Sequence, residues 1–293
     1  MNRRHLGFVS ALSLFAACAS TDVAPSFDST RVLVAARTGA SPERVRTAEE
    51  ARAVELRVAK LLSAPLDERS AVEIALLHEP TAQATLERLG IAQADLAQAT
   101  RIGNPIFSWA RLALRGGSGA QESWGLELPL LDFLVQPLRR KLGEMEVERV
   151  RYEVGSVLLE TATEARRAVI EAQAAEQLLA RLEQLAALDR AAADYAEKLF
   201  EAGNLTALDL AQSRAAFAQR SLEVSEARNE LRHARERVHR ALGLSGTQIA
   251  WTLGARELPE PLDEDEALEG LETRAITERL DLSAARSALA VMD

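Results

Sequence analysis

The stretch "LFEAGNLTALDL", Leu199 to Leu210, interrupts a helical pattern that otherwise extends from about 138 to 242. Gly203 tolerates the left-handed conformation that ends a helix, and Thr206 with Asp209 three residues later resembles a capping box in which Asp replaces Glu. No proline lies between Pro137 and Pro259, so no other strong break is expected. The pattern predicts a long helix 138–202 and a return helix 205–242, antiparallel and joined by a tight turn.

The predicted inner faces of both helices follow the alternating three- and four-residue spacing of a coiled coil. At about 1.5 Å per residue the first helix would be about 100 Å long, which excludes a compact domain. The fold class predicted is therefore mainly α, with a long antiparallel coiled-coil helical hairpin. The inner positions are Ala165, Ala168, Ala172, Ala175, Leu179, Leu182 and Ala186 in the first helix, and Val224, Ala227, Leu231, Ala234, Val238 and Ala241 in the second.

Residues 104–131 change from helical to alternating periodicity, which predicts a β-hairpin around the glycine-rich turn "RGGSGAQE". Each run is roughly ten residues, about the length a tilted strand needs to cross a bilayer. Trp109 and Trp124 suit the aromatic girdle of a membrane strand, although two strands on a soluble core explain either Trp equally well. The first run presents Ile106, Ser108, Ala110, Leu112 and Leu114 on one face, and in the second Trp124, Leu126, Leu128 and Leu130 alternate with polar or small residues.

Shorter segments surround this hairpin. Residues 66–102 predict two helices, the first capped by Asp67 and the second following a break at Pro80. Residues 18–65 predict an extended tether followed by a short helix that Thr47 caps.

Residues 247–293 predict an irregular linker and the start of a repeat. The final stretch "AITERLDLSAARSALAVMD" begins at Ala275 and resembles "ALLHEPTAQATLERLGIAQ", which lies 200 positions earlier. The repeat breaks off, which predicts a truncation (an early stop, a fragment or a split gene) or, alternatively, a functional half-length subunit. The coinciding pairs are Ala75/Ala275, Leu76/Ile276, Ala84/Ala284, Leu89/Leu289 and Ile91/Val291.

The N-terminal residues 1–17 predict an export signal, with Arg3 and Arg4 before a short apolar core. The segment resembles a bacterial lipoprotein signal in which "FAAC" stands at the lipobox, so that Cys18 becomes the lipidated first residue. Ala19 after that cysteine then indicates the outer membrane. The alternative is an ordinary signal peptide in which Cys18 is incidental. Cys18 is the only cysteine, so neither an internal disulfide nor a thiolate metal cluster is expected.

Composition and motifs argue against several classes of function. The net charge of −9 disfavours a nucleic-acid surface, and the four histidines lack a zinc-binding arrangement. Neither a Gly-x-Ser-x-Gly elbow nor a phosphate-binding glycine loop is present. We expect no catalytic residues, no metal and no cofactor.

Taken in order, these elements resemble the TolC-like outer-membrane efflux protein family, in particular its lipoprotein branch. The resemblance is carried by Ala71 to Pro105 for the opening helices and first strand entry, by Leu199 to Gln219 for the hairpin tip, and by "RERVHRALGL", Arg235 to Leu244, for the exit to the linker. On this resemblance 66–246 is the first of two repeats. It implies a periplasmic tunnel of helical hairpins and a two-stranded transmembrane β-hairpin contributing to an oligomeric β-barrel.

The resemblance also implies partners and a site. The full-length family forms a homotrimer in the outer membrane, in contact with its lipid, and the tunnel extends into the periplasm. Its tips dock a periplasmic adaptor (membrane fusion) protein and thereby an inner-membrane pump. With one strand hairpin per chain, a twelve-stranded barrel would need six copies. The tip residues that map onto the adaptor contact are Ala202, Gly203, Asn204, Leu205, Thr206 and Leu208.

The expected function is passive conduction, as the outer-membrane channel of a tripartite efflux system. Two alternatives remain: a periplasmic coiled-coil adaptor or structural spacer, and a truncated remnant that does not assemble. The tip has a second interpretation too, as a well-capped turn whose Leu205 and Leu208 pack between neighbouring helices.

Overall fold

The computed structural model describes residues 24–113, 120–254 and 270–292. Its elements are helices α1 (Ala24–Thr38), α2 (Ala48–Leu62), α3 (Glu68–His78) and α4 (Pro80–Ala99), strands β1 (Ile106–Ala113) and β2 (Ala120–Glu127), helices α5 (Leu130–Glu201) and α6 (Ala207–Leu242), a short 3-10 turn (Gly246–Ile249), and helices α7 (Leu271–Glu278) and α8 (Leu280–Met292). The export signal, Cys18, the turn glycines of the β-hairpin and the prolines of the linker lie outside the described residues.

Most of the other helices pack against helix α5. Its 72 residues extend over about 108 Å, and its distal half pairs with α6 while its proximal half contacts α1, α4 and α8. The expected seam is buried from Ala165 to Ala175 and at four positions of the return helix, and burial recurs toward the tip at Ala193 and Ala196. The other expected members, Leu179, Leu182, Ala186, Leu231 and Ala241, are half-buried. Small side chains let the two helices approach closely, as the sequence predicted.

Four ion pairs cross between α5 and α6, and in each of them the acid lies on α5 and the arginine on α6. Because these side chains are largely exposed, each pair contributes little to stability, but together they are consistent with a single antiparallel register. The pairs are Glu171–Arg237 (3.2 Å), Glu183–Arg228 (2.7 Å), Asp189–Arg220 (3.0 Å) and Glu197–Arg214.

The predicted start of the long helix at 138 was wrong, because α5 begins at Leu130 and includes Pro137. Pro137 lies beyond the first turn, so it removes the hydrogen bond to the Phe133 carbonyl and crowds that carbonyl, and contacts from outside the helix hold these turns in place. Asp132 accepts a hydrogen bond from Gly103 N (3.4 Å) and pairs with Arg139 (3.1 Å), and Gln136 Nε2 donates to the Thr100 carbonyl (3.3 Å).

The short helices build the core beside α5. Ile74, Ala75 and Leu77 of α3 are buried in one cluster with the middle of α5 and the end of α6. Leu86 and Leu89 of α4 are buried in a second cluster with the proximal part of α5. The expected caps are present, since Asp67 accepts from Ser70 N (2.8 Å) and Thr47 accepts from Glu50 N (3.2 Å).

The predicted extended tether was also wrong within the described residues, because Ala24–Thr38 forms α1. Its apolar residues show little helical periodicity, and tertiary packing decides the structure: Val34 is fully buried against α4 and α5. The segment after α1 is fixed by Gln83, which accepts from Val45 N (3.1 Å) and donates to the Glu43 carbonyl (2.8 Å). Arg44 pairs with Glu87 of α4. We call residues 24–47 the N-terminal strap.

The sequence repeat recurs as a structural repeat. The break between α3 and α4 at Glu79 has φ −65° and ψ 126°, and the break between α7 and α8 at Arg279 has φ −66° and ψ 122°. Both α4 and α8 pack on α5. The assignment of 66–246 as one whole repeat stays a prediction.

The segment that follows α6, up to Gly254, runs back alongside α5 and α6. Leu66 N donates to the Thr252 carbonyl (2.8 Å), and Gly254 N donates to the Leu66 carbonyl (2.9 Å). Arg235 donates to the Trp251 carbonyl (2.8 Å) with its guanidinium 4.5 Å from the centre of the Trp251 ring. Buried Gln173 donates to the Gly254 carbonyl (3.0 Å). Residues 250–254 are thus fastened to both long helices.

Candidate functional site

The hairpin tip is a capped turn. After Ala202, Gly203 adopts φ +74°, and the amides of Gly203 and Asn204 donate to the carbonyls of Phe200 (2.9 Å) and Leu199 (2.8 Å). These two bonds form the Schellman motif that ends a helix. Thr206 begins the return helix and accepts from Asp209 N (3.2 Å), and its hydroxyl donates to the Asp209 carboxylate (2.6 Å). The tip is therefore rigidly defined by its own sequence.

The tip residues are mostly turned outward. Ala202, Gly203, Asn204 and Thr206 are exposed, and Leu205 is half-buried. Leu208 is 67% exposed, so within this chain it is not packed between helices. An exposed leucine beside a rigid turn is a surface that a partner can cover.

One face of the β-hairpin is apolar except at its turn end, where Arg111 pairs with Glu122 (3.6 Å), and the other face is mixed. Trp109 lies opposite Trp124 and Phe107 opposite Leu126, and the Phe107 and Trp124 rings meet edge to face with centroids 5.7 Å apart. The sequence analysis grouped the even-numbered residues of the first run, from Ile106 to Leu112. In the structure, the odd-numbered residues Phe107 and Trp109 share a face with Trp124 and Leu126. The opposite face pairs Ser108 with Gly125, Ala110 with Ser123, Ile106 with Glu127 and Leu112 with Gln121.

The apolar surface of the hairpin continues onto α5, where successive large side chains are exposed. We call this surface the apolar band. Because large apolar patches are seldom left in water, it indicates a partner or a lipid phase. Its members are Phe107, Trp109, Trp124, Leu126, Leu130, Leu131, Leu134 and Leu138.

Each long helix carries a second apolar stripe beside its inner seam, which the sequence analysis missed. The sequence signal that could have revealed these stripes is a second heptad pattern, displaced from the seam by one position on α5 and by two positions on α6. These residues are exposed within the chain, and we call them the outer stripes. They are Leu178, Leu185, Leu188, Ala192 and Tyr195 on α5, and Leu208, Ala211, Ala215, Ala218 and Leu222 on α6.

Charged side chains pair with one another along the helices and between them, and these pairs hold the helices in place. The hydrogen bond from Arg149 lowers the pKa of Glu146 on the proximal part of α5, and the hydrogen bond from Arg44 lowers the pKa of Glu87. Within the described ranges no group of three or more His, Cys, Asp or Glu could hold a metal ion. In the same ranges, no helix has the length and apolar character needed to cross a membrane.

Solved structures share this architecture. The outer-membrane channel OprN is 17% identical with a TM-score of 0.60, over 88% of this chain and 58% of that chain. The outer membrane channel CmeC of Campylobacter jejuni is 12% identical with a TM-score of 0.58, over 76% of this chain and 51% of that one. The outer membrane protein VceC of Vibrio cholerae is 17% identical with a TM-score of 0.56, over 80% and 58%. The fold is thus that of outer-membrane channels.

Residues 108–244 match the family model described as "Outer membrane efflux protein", which covers β1, β2 and the two long helices. This segment of the chain therefore resembles the outer membrane efflux protein family. The chain spans between about half and three-fifths of the length of the channels it resembles. No curated protein matches the sequence.

Proposed function

We propose that this chain is a subunit of an outer-membrane efflux channel, which passively conducts substrates from an inner-membrane pump and a periplasmic adaptor to the exterior. The observation that carries the proposal is the apolar band on the β-hairpin and the start of α5. A membrane strand needs an apolar face toward lipid and a small or polar face toward the lumen. Phe107 and Trp124 supply the apolar face except at the turn end, where Arg111 pairs with Glu122. Ser108 and Ser123 lie at the centre of the other face, which Ile106 and Leu112 flank.

A two-stranded hairpin leaves both edges unpaired, and unpaired edges are not tolerated in lipid. The strands therefore require neighbours, which supports a homo-oligomer. The outer stripes support the same conclusion, because coiled-coil spacing on a second face suits a further helix on each side.

The tip is the proposed adaptor-binding site. It combines a fixed backbone with an exposed Leu208 and a half-buried Leu205. A preorganised turn loses little entropy on binding, and a central leucine supplies apolar contact. Ala202, Gly203, Asn204 and Thr206 would frame that contact.

Lipidation of Cys18 would anchor the N-terminal strap at the same membrane. Ala24 follows Cys18 by six positions, and a chain of that length spans at most about 20 Å. The strap begins beside Gln93, which Ser26 contacts at 2.5 Å, and Leu96 of the same helix meets Gly143 of α5. Gly143 lies thirteen residues, or about 20 Å along the helix, from Leu130 at the apolar band. The tether length therefore agrees with an anchor at the band.

The proposal is tested by expressing residues 1–293, separating inner from outer membranes and recording currents from the purified protein in planar bilayers. We expect recovery in the outer membrane and ion conductance. Trp124→Asp should abolish the ion conductance even where lipidated Cys18 keeps the chain at the membrane, and Ser123→Asp on the opposite face is the matched control. A mature chain that is soluble without detergent would instead support the periplasmic spacer, and aggregated monomers would support a remnant that does not assemble.

A further inference from the structure

The start of α5 is apolar and exposed. Between Leu128 and Leu138 the only charged residue is Asp132. Leu131, Leu134 and Leu138 follow one another at helical spacing, and Leu134 is 78% exposed. Such a surface is stable only when something apolar covers it. The large exposed side chains of these turns are Leu130, Leu131, Phe133, Leu134 and Leu138.

Asp132 does not oppose burial in an apolar phase, because its charge is neutralised within the chain. Its carboxylate pairs with Arg139 (3.1 Å) and accepts a hydrogen bond from Gly103 N (3.4 Å). The polar side chain of Gln136 likewise donates to the Thr100 carbonyl (3.3 Å). Polar groups that are paired enter lipid at a much lower cost than unpaired ones.

Three cations follow the apolar turns directly: Arg139, Arg140 and Lys141. We call these residues the basic collar. Lys141 lies three positions after Leu138 and therefore continues the exposed stripe. Basic residues at the edge of an exposed apolar helix surface are typical of a membrane boundary, where cations meet lipid phosphates.

The acids nearest to Lys141 already have partners. Lys141 borders a groove with Glu144 and Glu148. Glu144 pairs with Arg140 (3.0 Å), and Glu148 pairs with Arg151. Lys141 is exposed and makes no ion pair with any other residue that the structure describes. Its ammonium group is thus available to an anion from outside the chain.

The β-hairpin and the start of α5 are continuous, because α4 and β1 run antiparallel to β2 and α5 along the whole length. At the turn end, the apolar face of the hairpin stops at the ion pair of Arg111 and Glu122 (3.6 Å). The apolar surface is therefore bordered by charge at both ends, by this pair and by the basic collar. Neighbours along the length are Leu96 with Gly143, Thr100 with Gln136, Gly103 with Asp132, and Ile106 with Glu127.

The length of this surface decides how much of the chain lies in lipid. From Glu122 to Glu127, strand β2 rises about 17 Å even without tilt, which is less than the apolar band of about 25 Å on a membrane barrel. From Leu130 to Arg139 the helix adds about 14 Å. Strand and helix together reach the thickness of the hydrocarbon layer, about 30 Å, which the apolar part of the strands does not reach alone.

We propose that the first turns of α5, residues 130–138, are embedded in the periplasmic leaflet of the outer membrane, and that the basic collar binds the phosphate groups of its anionic phospholipids. The inference rests on the proposed channel and specifies how deeply the chain is inserted. A helix is compatible with this position because its backbone hydrogen bonds are internal. The collar then marks the periplasmic surface of the membrane.

Insertion is tested by quenching with phospholipids that carry bromine on their acyl chains. The full chain with Leu134→Cys is labelled with bimane and reconstituted in vesicles of brominated phosphatidylcholine, and the unmodified chain, labelled in the same way, gives the contribution of Cys18. We expect the emission to be lost relative to vesicles of the unbrominated lipid. Leu188→Cys is the matched control, because Leu188 is an exposed leucine of the same helix about 80 Å away, and its label should keep its emission.

The collar is tested by the preference of lipid at the Leu134 label for brominated phosphatidylglycerol over brominated phosphatidylcholine. Lys141→Gln should lower this preference about fivefold, and Lys141→Arg should retain it. Arg140→Gln should lower the preference too. Its matched control is Arg167→Gln, because Arg167 is equally exposed and pairs with an acid four residues later on the same helix, as Arg140 does.

The native tryptophans separate this inference from the proposed channel. If brominated lipid quenches Trp109 and Trp124 but not the label at Leu134, only the hairpin lies in lipid, and the inference is overturned while the channel stands. If the label is quenched but neither Lys141→Gln nor Arg140→Gln changes the lipid preference, the phosphate contact is overturned. Quenching at none of these positions would remove the proposed channel itself.

Discussion

Gly243 and Pro80 are in direct contact, and a Cβ on Gly243 would lie 2.9 Å from Pro80 Cδ and 3.1 Å from Glu79 Cα. Gly243 ends α6 with φ +69°, and Pro80 begins α4 after the break at Glu79. The end of the long hairpin therefore rests on the break between the two short helices. Both the backbone conformation and the space at this contact require glycine.

Gly243→Ala should lower the free energy of unfolding by about 2 to 4 kcal/mol, from left-handed backbone strain and overpacking together. Thermal unfolding followed by circular dichroism measures the loss. Gly246→Ala is the matched control, because Gly246 has φ +60° with no atom within 4 Å of an added Cβ. Equal losses in the two variants would show that the contact with Pro80 carries no energy.

Arg235→Ala should release residues 250–254, because it removes a charged hydrogen bond and a cation–π contact with Trp251. The expected loss of stability is about 2 kcal/mol. Trp251 is buried whereas Trp109 and Trp124 are exposed, so a red shift of the emission reports the release. Arg232→Ala, one turn away and bonded only to Asn229 of its own helix, should leave the emission unchanged.

The N-terminal strap should loosen in acid. The hydrogen bond from Arg44 lowers the pKa of Glu87 in the folded state. The ion pair therefore stabilises the strap fully above the unfolded-state pKa of about 4.3. This stabilisation is lost as the pH falls through the lower, folded-state pKa of Glu87. Limited proteolysis of residues 24–47 from pH 7 to pH 3 measures this. In the Glu87→Gln variant the strap should be cleaved faster at pH 7, and its cleavage rate should change less with pH. If the cleavage rates of the variant and the unmodified chain changed with pH in the same way, Glu87 would be excluded as the titrating group.

Leu208→Ser should weaken binding of the cognate adaptor about tenfold or more without changing the unfolding temperature, because the side chain is already exposed. Binding to immobilised adaptor measures the first quantity. Ala216→Ser, exposed on the same helix away from the tip and outside the outer stripes, is the control. Equal binding by the Leu208→Ser variant and the unmodified chain would place the contact elsewhere.

Gly203→Val should disturb the tip through its backbone. Gly203 has φ +74° in open space, so a β-branched residue meets strain rather than a clash. We expect reduced adaptor crosslinking with little change in the proximal core. The control is Ala207→Val, which adds the same side chain at a helical position. Unchanged crosslinking in the Gly203→Val variant would argue against the tip as the docking site.

Sequence predicted the parts whose signal is local or periodic. The seam alanines, the Gly203 turn and the caps at Thr47, Asp67 and Thr206 follow from spacing and residue type alone. Helix α1 was missed because its stability comes from burial of Val34 against distant helices, which leaves no periodic pattern. The outer stripes were missed although their heptad spacing is present in the sequence, because spacing alone does not show which of two adjacent apolar stripes is buried within the chain.

The continuity of α5 through Pro137 has a mechanical consequence. With no break between the apolar band and the tip, α5 acts as a single lever of about 108 Å, and a tilt of one degree at the band moves the tip by about 2 Å. In the proposed channel, a small change in how the β-hairpin sits among neighbouring strands would thus be magnified at the far end, and a force applied by an adaptor at the tip would return along the same helix.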